Sequence, residues 1–373
     1  MSTRLRNIGI AVGLLILVGV GFLFLRGPKP VIEIKGERLW SVGPLDITNT
    51  LFTSWIVVAF IIVVGVLATR RMRLIPAGLQ NAVEAVIEAL YNLVVNTVGE
   101  RHAPRFFPVI ATIFIYVLIA NWFALLPFFN VIGKVEPLGA EEEHFRKDAV
   151  VFKESGLFLI MPNPTELEID VDESSCSGLD GEAHEQCLIE QREHAIADAR
   201  AEEGVDPDET VGVIAPFFRS VNTDLMAPLS LAIASAIFVE YWGISTLGLA
   251  AYGSRFFSFS RLRRGDPMGV IDIFVGFLEL IAEFARLISF TFRLFGNMLA
   301  GEILLLMMTF LIPLLLALPF YGLELFVGAI QAFVFAMLTL IFGALAVTGH
   351  GDDHEEEDRP ASVGEVATAH EVG

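Results

Sequence analysis

The length of the apolar runs constrains this chain more than any other feature. Residues 8–25, 51–68, 106–126, 225–244, 268–311 and 321–347 are each apolar enough to enter a hydrocarbon layer about 30 Å thick and long enough to cross it. No water reaches unpaired backbone groups there, so each run must close its own hydrogen bonds as a helix. The expected fold is an all-α polytopic membrane protein with about six membrane helices, the last two long and tilted. Composition agrees, because 54% of the 373 residues are hydrophobic and the mean hydropathy is +0.63, far from an average soluble domain.

The net charge of −19 is concentrated in two places. Residues 127–222 hold 22 Asp and Glu against 7 Lys and Arg, which is 15 of the 19 net negative charges. Six more acids crowd Asp352 to Asp358. The acidity therefore belongs to aqueous segments, and it argues against nucleic-acid binding, which needs a basic footprint.

Basic clusters orient the spans. Ile8 to Leu25 follows Arg4 and Arg6. It reads either as a signal peptide or as an uncleaved helix, since its core is long and no A-x-A site follows. The span from Leu51 to Ala68 stops at Arg70-Arg71-Met72-Arg73, which marks the cytoplasmic side by the positive-inside rule. Over residues 76–100, Glu84 and Glu88 lie four apart among Val83, Val86, Ile87 and Leu90, which predicts an amphipathic helix at that interface. Phe106 to Leu126 leads outward, and Leu225 to Ile244 leads back to a loop with Arg255, Arg261, Arg263 and Arg264. Pro313 and Pro319 are expected to break helix between the last two runs.

The chain thus divides into five stretches. These are an N-terminal span and outer linker (1–48), the first membrane helices (49–133), an acidic outer insertion (134–222), two long helices with the span before them (223–349), and an acidic cytoplasmic tail (350–373).

Within the insertion, Glu185 to Glu203 has helix-forming composition, and Met161-Pro162-Asn163-Pro164 reads as an extended, turn-rich segment. Cys176 and Cys187 are the only cysteines. A disulfide fits an exported loop, and two free thiols are the alternative. His184 and His194 match no zinc spacing, so no metal is expected.

The last two long runs carry groups that lipid should exclude: Glu279, Glu283, Arg286, Arg293, Asn297 and Glu302 on the first, Glu324 and Gln331 on the second. At about 100° per residue, Glu279, Arg286, Arg293 and Asn297 fall within roughly 40° of one another, while Glu302 points to nearly the opposite face. Glu283 and Arg286, three apart, could neutralise each other as a structural pair. Arg293 has no carboxylate three or four residues away, and its guanidinium stays charged wherever it sits. Such a charge marks an ion pathway or needs a partner from another helix or subunit.

Phe292 to Glu302, with its Arg-Leu-Phe-Gly-Asn-Met and Ala-Gly-Glu elements, closely resembles the signature of subunit a of F-type ATP synthases. Gln331-Ala332-Phe333-Val334-Phe335 resembles an element of that family's last helix, and Asn121 to Pro127 and Asp224-Leu225 resemble weaker positions. The likeness covers about 46–133 and 222–349.

The resemblance implies a proton-translocating stator in the bacterial inner membrane, with the insertion periplasmic. Its implied partners are the ring of subunit c, the peripheral-stalk subunit b, the other synthase subunits and membrane lipid. Arg293 would face the ring carboxylate as a gate between two half-channels. Asn297, Glu302, Glu324, Gln331 and Asp224 would serve the outer half-channel, and Glu279 and Glu283 the cytoplasmic one. No Walker-type motif occurs, so no nucleotide site or other cofactor is expected here.

Some positions depart from the family. Glu324 stands where bacterial members often have histidine, Met226 and Pro228 where polar residues are common, and the insertion is much longer than usual. That insertion could cap a channel mouth, contact another subunit or be a solvated loop. An independent channel or secondary transporter is the alternative function, although no internal repeat supports it. Whether the coupling ion is H⁺ or Na⁺ stays open.

Overall fold

The computed structural model describes residues 36–43, 45–126, 129–130, 132–138, 148–152, 157–159, 166–178, 180–206, 209–249, 252–253, 269–311 and 317–347, with residues 13 and 19. The rest of the first apolar run, the Met161–Pro164 segment, Arg255 to Arg264, Pro313 and the tail from His350 lie outside the described residues.

Five helices among the described residues are long and apolar enough to span a membrane. A short hairpin of β1 (Arg38–Val42) and β2 (Leu45–Thr48) leads directly into α1 (Asn49–Thr69). Thr48 caps α1 by accepting the Leu51 N–H at 3.3 Å. The basic run from Arg70 lies just past its end.

Next, α2 (Leu79–Phe123) joins the expected interfacial helix to the second span. Gly99 interrupts it with φ 76°, a value open to glycine at no steric cost, so the two parts meet at a kink. The polar half and the apolar half can therefore run in different directions. The apolar half buries Phe106, Ile110, Ile113, Val117 and Ala120.

The acidic insertion carries more order than its composition suggested. It holds an antiparallel sheet in the order β5-β3-β7-β4-β6, made of β3 (Ile132–Pro137), β4 (Asp148–Phe152), β5 (Leu157–Leu159), β6 (Glu166–Glu168) and β7 (Thr210–Pro216). Helix α3 (Glu182–Glu202) lies close to the stretch expected to be helical. Ala149, Leu167, Ile169, Val171, Ala199 and Val211 form a small core of their own. Cys176, at the end of a 3-10 turn, is joined by a disulfide to Cys187 on α3. The strands escaped sequence reading because most are only three to six residues long and sit in a segment whose composition is dominated by acids. Their remaining signal is alternation, as where buried Leu167 and Ile169 flank exposed Glu168.

The remaining helices are α4 (Met226–Leu247), α5 (Gly269–Leu311) and α6 (Ala317–Val347). Because α6 begins at Ala317, Pro319 sits in its first turn rather than ending a helix. Its missing N–H costs nothing there, since first-turn donors have no intrahelical partner. The apolar core lies where α2, α4 and α6 meet. Phe106 stacks on Trp242 with centroids 4.0 Å apart, and Gly343 gives both rings room: a Cβ there would lie 2.7 Å from each. The hydroxyls of Ser235 and Thr339 satisfy each other at 2.8 Å inside that core. Helix α5 packs on α4 and α6, yet its most apolar stretch is only 17% buried, leaving one long face uncovered.

Candidate functional site

At the end of the bundle that carries the insertion, polar side chains from six segments converge. Thr50, in the first turn of α1, donates to Asp224 Oδ2 at 2.8 Å. The other oxygen of Asp224 accepts the Met226 N–H at 3.1 Å, which ties α1 to the start of α4. Two residues before Asp224, Asn222 Nδ2 donates to Asn121 Oδ1 at 2.6 Å, and Asn121 Nδ2 donates to the Gly328 carbonyl at 3.1 Å. Asn121 and Asn222 are both buried, so these bonds form in a low-dielectric setting where an unpaired amide would cost about 1–3 kcal/mol.

Beside this network lie two carboxylates. Glu324 is 6% exposed, on α6. Its carboxyl group occupies the space where a side chain at position 301 would begin, so Gly301 brings Glu324 against α5 next to Glu302. Glu302 Oε1 accepts from Asn130 Nδ2 at 2.8 Å. Glu302 Oε2 and Glu324 Oε1 are buried without a hydrogen-bond partner. Buried carboxylate oxygens left open in this way can take up a proton or a transient water, which is what a relay requires.

Arg293 stands apart from that cluster. It is exposed on the uncovered face of α5, and its one recorded contact is donation to Ser289 Oγ at 3.4 Å. Among the described residues no carboxylate lies within ion-pair reach of it. Asn297, one turn on, is also exposed on this face, together with the small residues Ala282, Ala285, Gly296 and Ala300.

Toward the other end of α5, Glu283 and Arg286 form an ion pair at 2.8 Å. The Arg286 guanidinium lies 3.7 Å from the centroid of the Phe342 ring. These groups border a small cavity with Ser235, Leu287 and Phe290. A cation stacked on a ring and paired to a carboxylate is well satisfied, which favours the structural reading of this pair. Glu279 is half-buried one turn before Glu283, and Gln331 is half-buried on α6 between the two regions.

The structure therefore brings Glu302, Glu324 and Asp224 to one end, keeps Glu283 with Arg286 near the other, and leaves Arg293 and Asn297 facing outward. Thr50 donates to Asp224, and the buried amides of Asn121 and Asn222 add further polarity at this end of the bundle. Thr50, Asn130 and Asn222 were missed as site residues. The signal for two of them was present as polar triplets, Thr48-Asn49-Thr50 and Asn222-Thr223-Asp224, abutting apolar runs. Asn130 carried no such mark.

Comparison with protein families agrees with this architecture. The family model described as ATP synthase A chain matches residues 51–344, most of the chain and all five described spans in whole or large part. The long helices, the intramembrane charges and this match together establish that the chain belongs to the ATP synthase A chain family, subunit a of the membrane Fo sector.

Proposed function

We propose that this chain is the stator across which protons pass to and from a rotating ring of subunit c, so that ion flow is coupled to rotation. The observation that carries the reading is Arg293, a permanent cation on the uncovered face of an apolar helix with no carboxylate within reach among the described residues. Left in lipid, it would cost a few kcal/mol or more. Facing a carboxylate on each passing ring subunit, it would hold that group ionised and stop protons from crossing directly. The small residues around it allow a second helix to approach closely.

In this scheme, Asp224, Asn121, Asn222, Glu302, Glu324 and Gln331 serve the half-channel on the insertion side, with Asn297 next to the gate. Glu279, and to a lesser extent Glu283, serve the half-channel at the Arg70–Arg73 end, where the basic cluster places the cytoplasm. The insertion then lies in the periplasm of a bacterial inner membrane, where an oxidised Cys176–Cys187 pair is stable. Subunit b and the rest of the synthase complete the assembly. The membrane potential would contribute about 2.3 kcal/mol per charge per 100 mV to the movement.

Membrane vesicles containing the assembled complex provide the test. Arg293→Ala and Arg293→Lys should abolish ATP synthesis driven by an imposed proton gradient, while leaving subunit content unchanged. Normal synthesis by the alanine variant excludes the reading.

A further inference from the structure

Asn130 joins the insertion to the carboxylate pair. We infer that it is a positioning residue that sets the Glu302 carboxylate in its conducting geometry and ties it to the folded insertion. This inference rests on the proposal that Glu302 belongs to a proton half-channel.

Four observations support it. Asn130 Nδ2 donates to Glu302 Oε1 at 2.8 Å, the single hydrogen bond recorded for that carboxylate, whose other oxygen is buried and open. Asn130 is also the sole non-glycine residue with positive φ (57°) among the described residues. Apart from glycine, asparagine, aspartate and histidine are the residues most often found in that conformation, and of these only asparagine offers a neutral amide donor on so short a stem.

The backbone at this point is held on both sides. The Asn130 N–H donates to the Phe218 carbonyl at 3.0 Å and the Phe217 N–H to the Ile132 carbonyl at 2.9 Å. The pairing of β3 with β7 therefore continues below Gly133↔Pro216 to the base of the insertion. Finally, the base is seated on the membrane helices. Asn49 Nδ2 donates to the Pro216 carbonyl at 3.2 Å, and the Phe218 ring packs between Phe52 and Phe129 with centroids 6.1 and 5.9 Å away. A residue fixed this firmly orients what it touches.

The groups around Glu302 define what its loss would do. From α6 the Glu324 carboxyl lies against Gly301, the residue before Glu302. The 3-10 turn Val221–Thr223, which packs on α5, brings no titratable side chain. Among the described residues Asn130 is thus the one donor to the Glu302 carboxyl. Without it Glu302 loses its one hydrogen bond among the described residues, and its carboxyl is no longer held in a single orientation.

The experiment is passive proton conduction through Fo in vesicles stripped of the catalytic sector, measured against pH on the insertion side. Asn130→Gly keeps the backbone conformation and removes the amide. Asn130→Asp keeps shape and backbone tolerance but sets a third carboxyl group against the pair. The expected result is a fall in conduction of about fivefold or more for Asn130→Gly across the pH range. Asn130→Asp should lower it further, and combining Asn130→Asp with Glu302→Gln, which rebuilds the bond with donor and acceptor exchanged, should recover part of the loss.

A profile for both single variants that overlays the parent, in membranes where Glu302→Gln does change conduction, overturns the assignment and leaves the half-channel reading standing. An unchanged profile for Glu302→Gln itself removes the half-channel reading as well. Should Asn130→Gly fail to assemble, Asn130→Asp and its double variant still decide the matter.

Discussion

At the scale of single residues, two glycines on α5 make opposite predictions. At Gly301 an added methyl group collides with the Glu324 carboxyl, so Gly301→Ala must displace that carboxyl or separate α5 from α6. Proton conduction by Gly301→Ala should fall about tenfold or more in complexes that still assemble, a drop equivalent to roughly 1.4 kcal/mol of barrier. At Gly296 an added Cβ meets nothing within 4 Å. Gly296→Leu should therefore leave the fold of this chain intact, assayed by its insertion and protease resistance. If a ring passes against this face, the same variant should still lose coupled synthesis. Retention of full synthesis would show that the face is open to lipid.

Elements differ in how much of them could be read beforehand. The five described spans follow from uninterrupted apolar length, because backbone hydrogen bonding in lipid permits no other structure. Glu84 and Glu88 among apolar neighbours made the first half of α2 legible as an interfacial helix, and apolar length the second as a span. The kink at Gly99 that joins them came only from the structure. The sheet was not legible in the same way, since a strand of three residues is stabilised by partners distant in sequence rather than by its own composition. Leu167, for example, is buried by α3 and by strands on either side of it in the chain.

The disulfide adds a local restraint to this insertion, closing a short loop across 11 residues of sequence. Replacing Cys176 and Cys187 with serine should destabilise the insertion by about 2–4 kcal/mol. Limited proteolysis within α3 should report it as faster cleavage, with the membrane helices still protected.

For the molecule as a whole, the charge distribution makes a prediction that no single contact makes. Fifteen net negative charges lie between residues 127 and 222, in an insertion whose base meets the carboxylate cluster. Such a field gathers cations, protons included, and is screened beyond about 10 Å at 0.1 M salt. Conduction from the insertion side should therefore weaken as ionic strength rises. A variant in which the exposed acids of α3 are changed to glutamine should show a flatter salt response. An equally steep response in that variant would assign the salt effect elsewhere.

The sequence by itself determined the class of the protein, the number and approximate bounds of its described spans, and the presence of a cation that its own helix does not neutralise. Those properties follow from local chemistry: apolar length, basic flanks and the fixed charge of a guanidinium. Only the tertiary structure decided which polar groups meet. Gly301 admits the Glu324 carboxyl from α6, Asn222 reaches Asn121 across 101 residues of chain, and Asn130 reaches Glu302 across 172. Such pairings depend on how helices cross and where a backbone turns, and neither periodicity nor composition encodes the partner of a buried amide. The uncovered face around Arg293 is likewise a result of packing, because it is the side of α5 that α4 and α6 leave free.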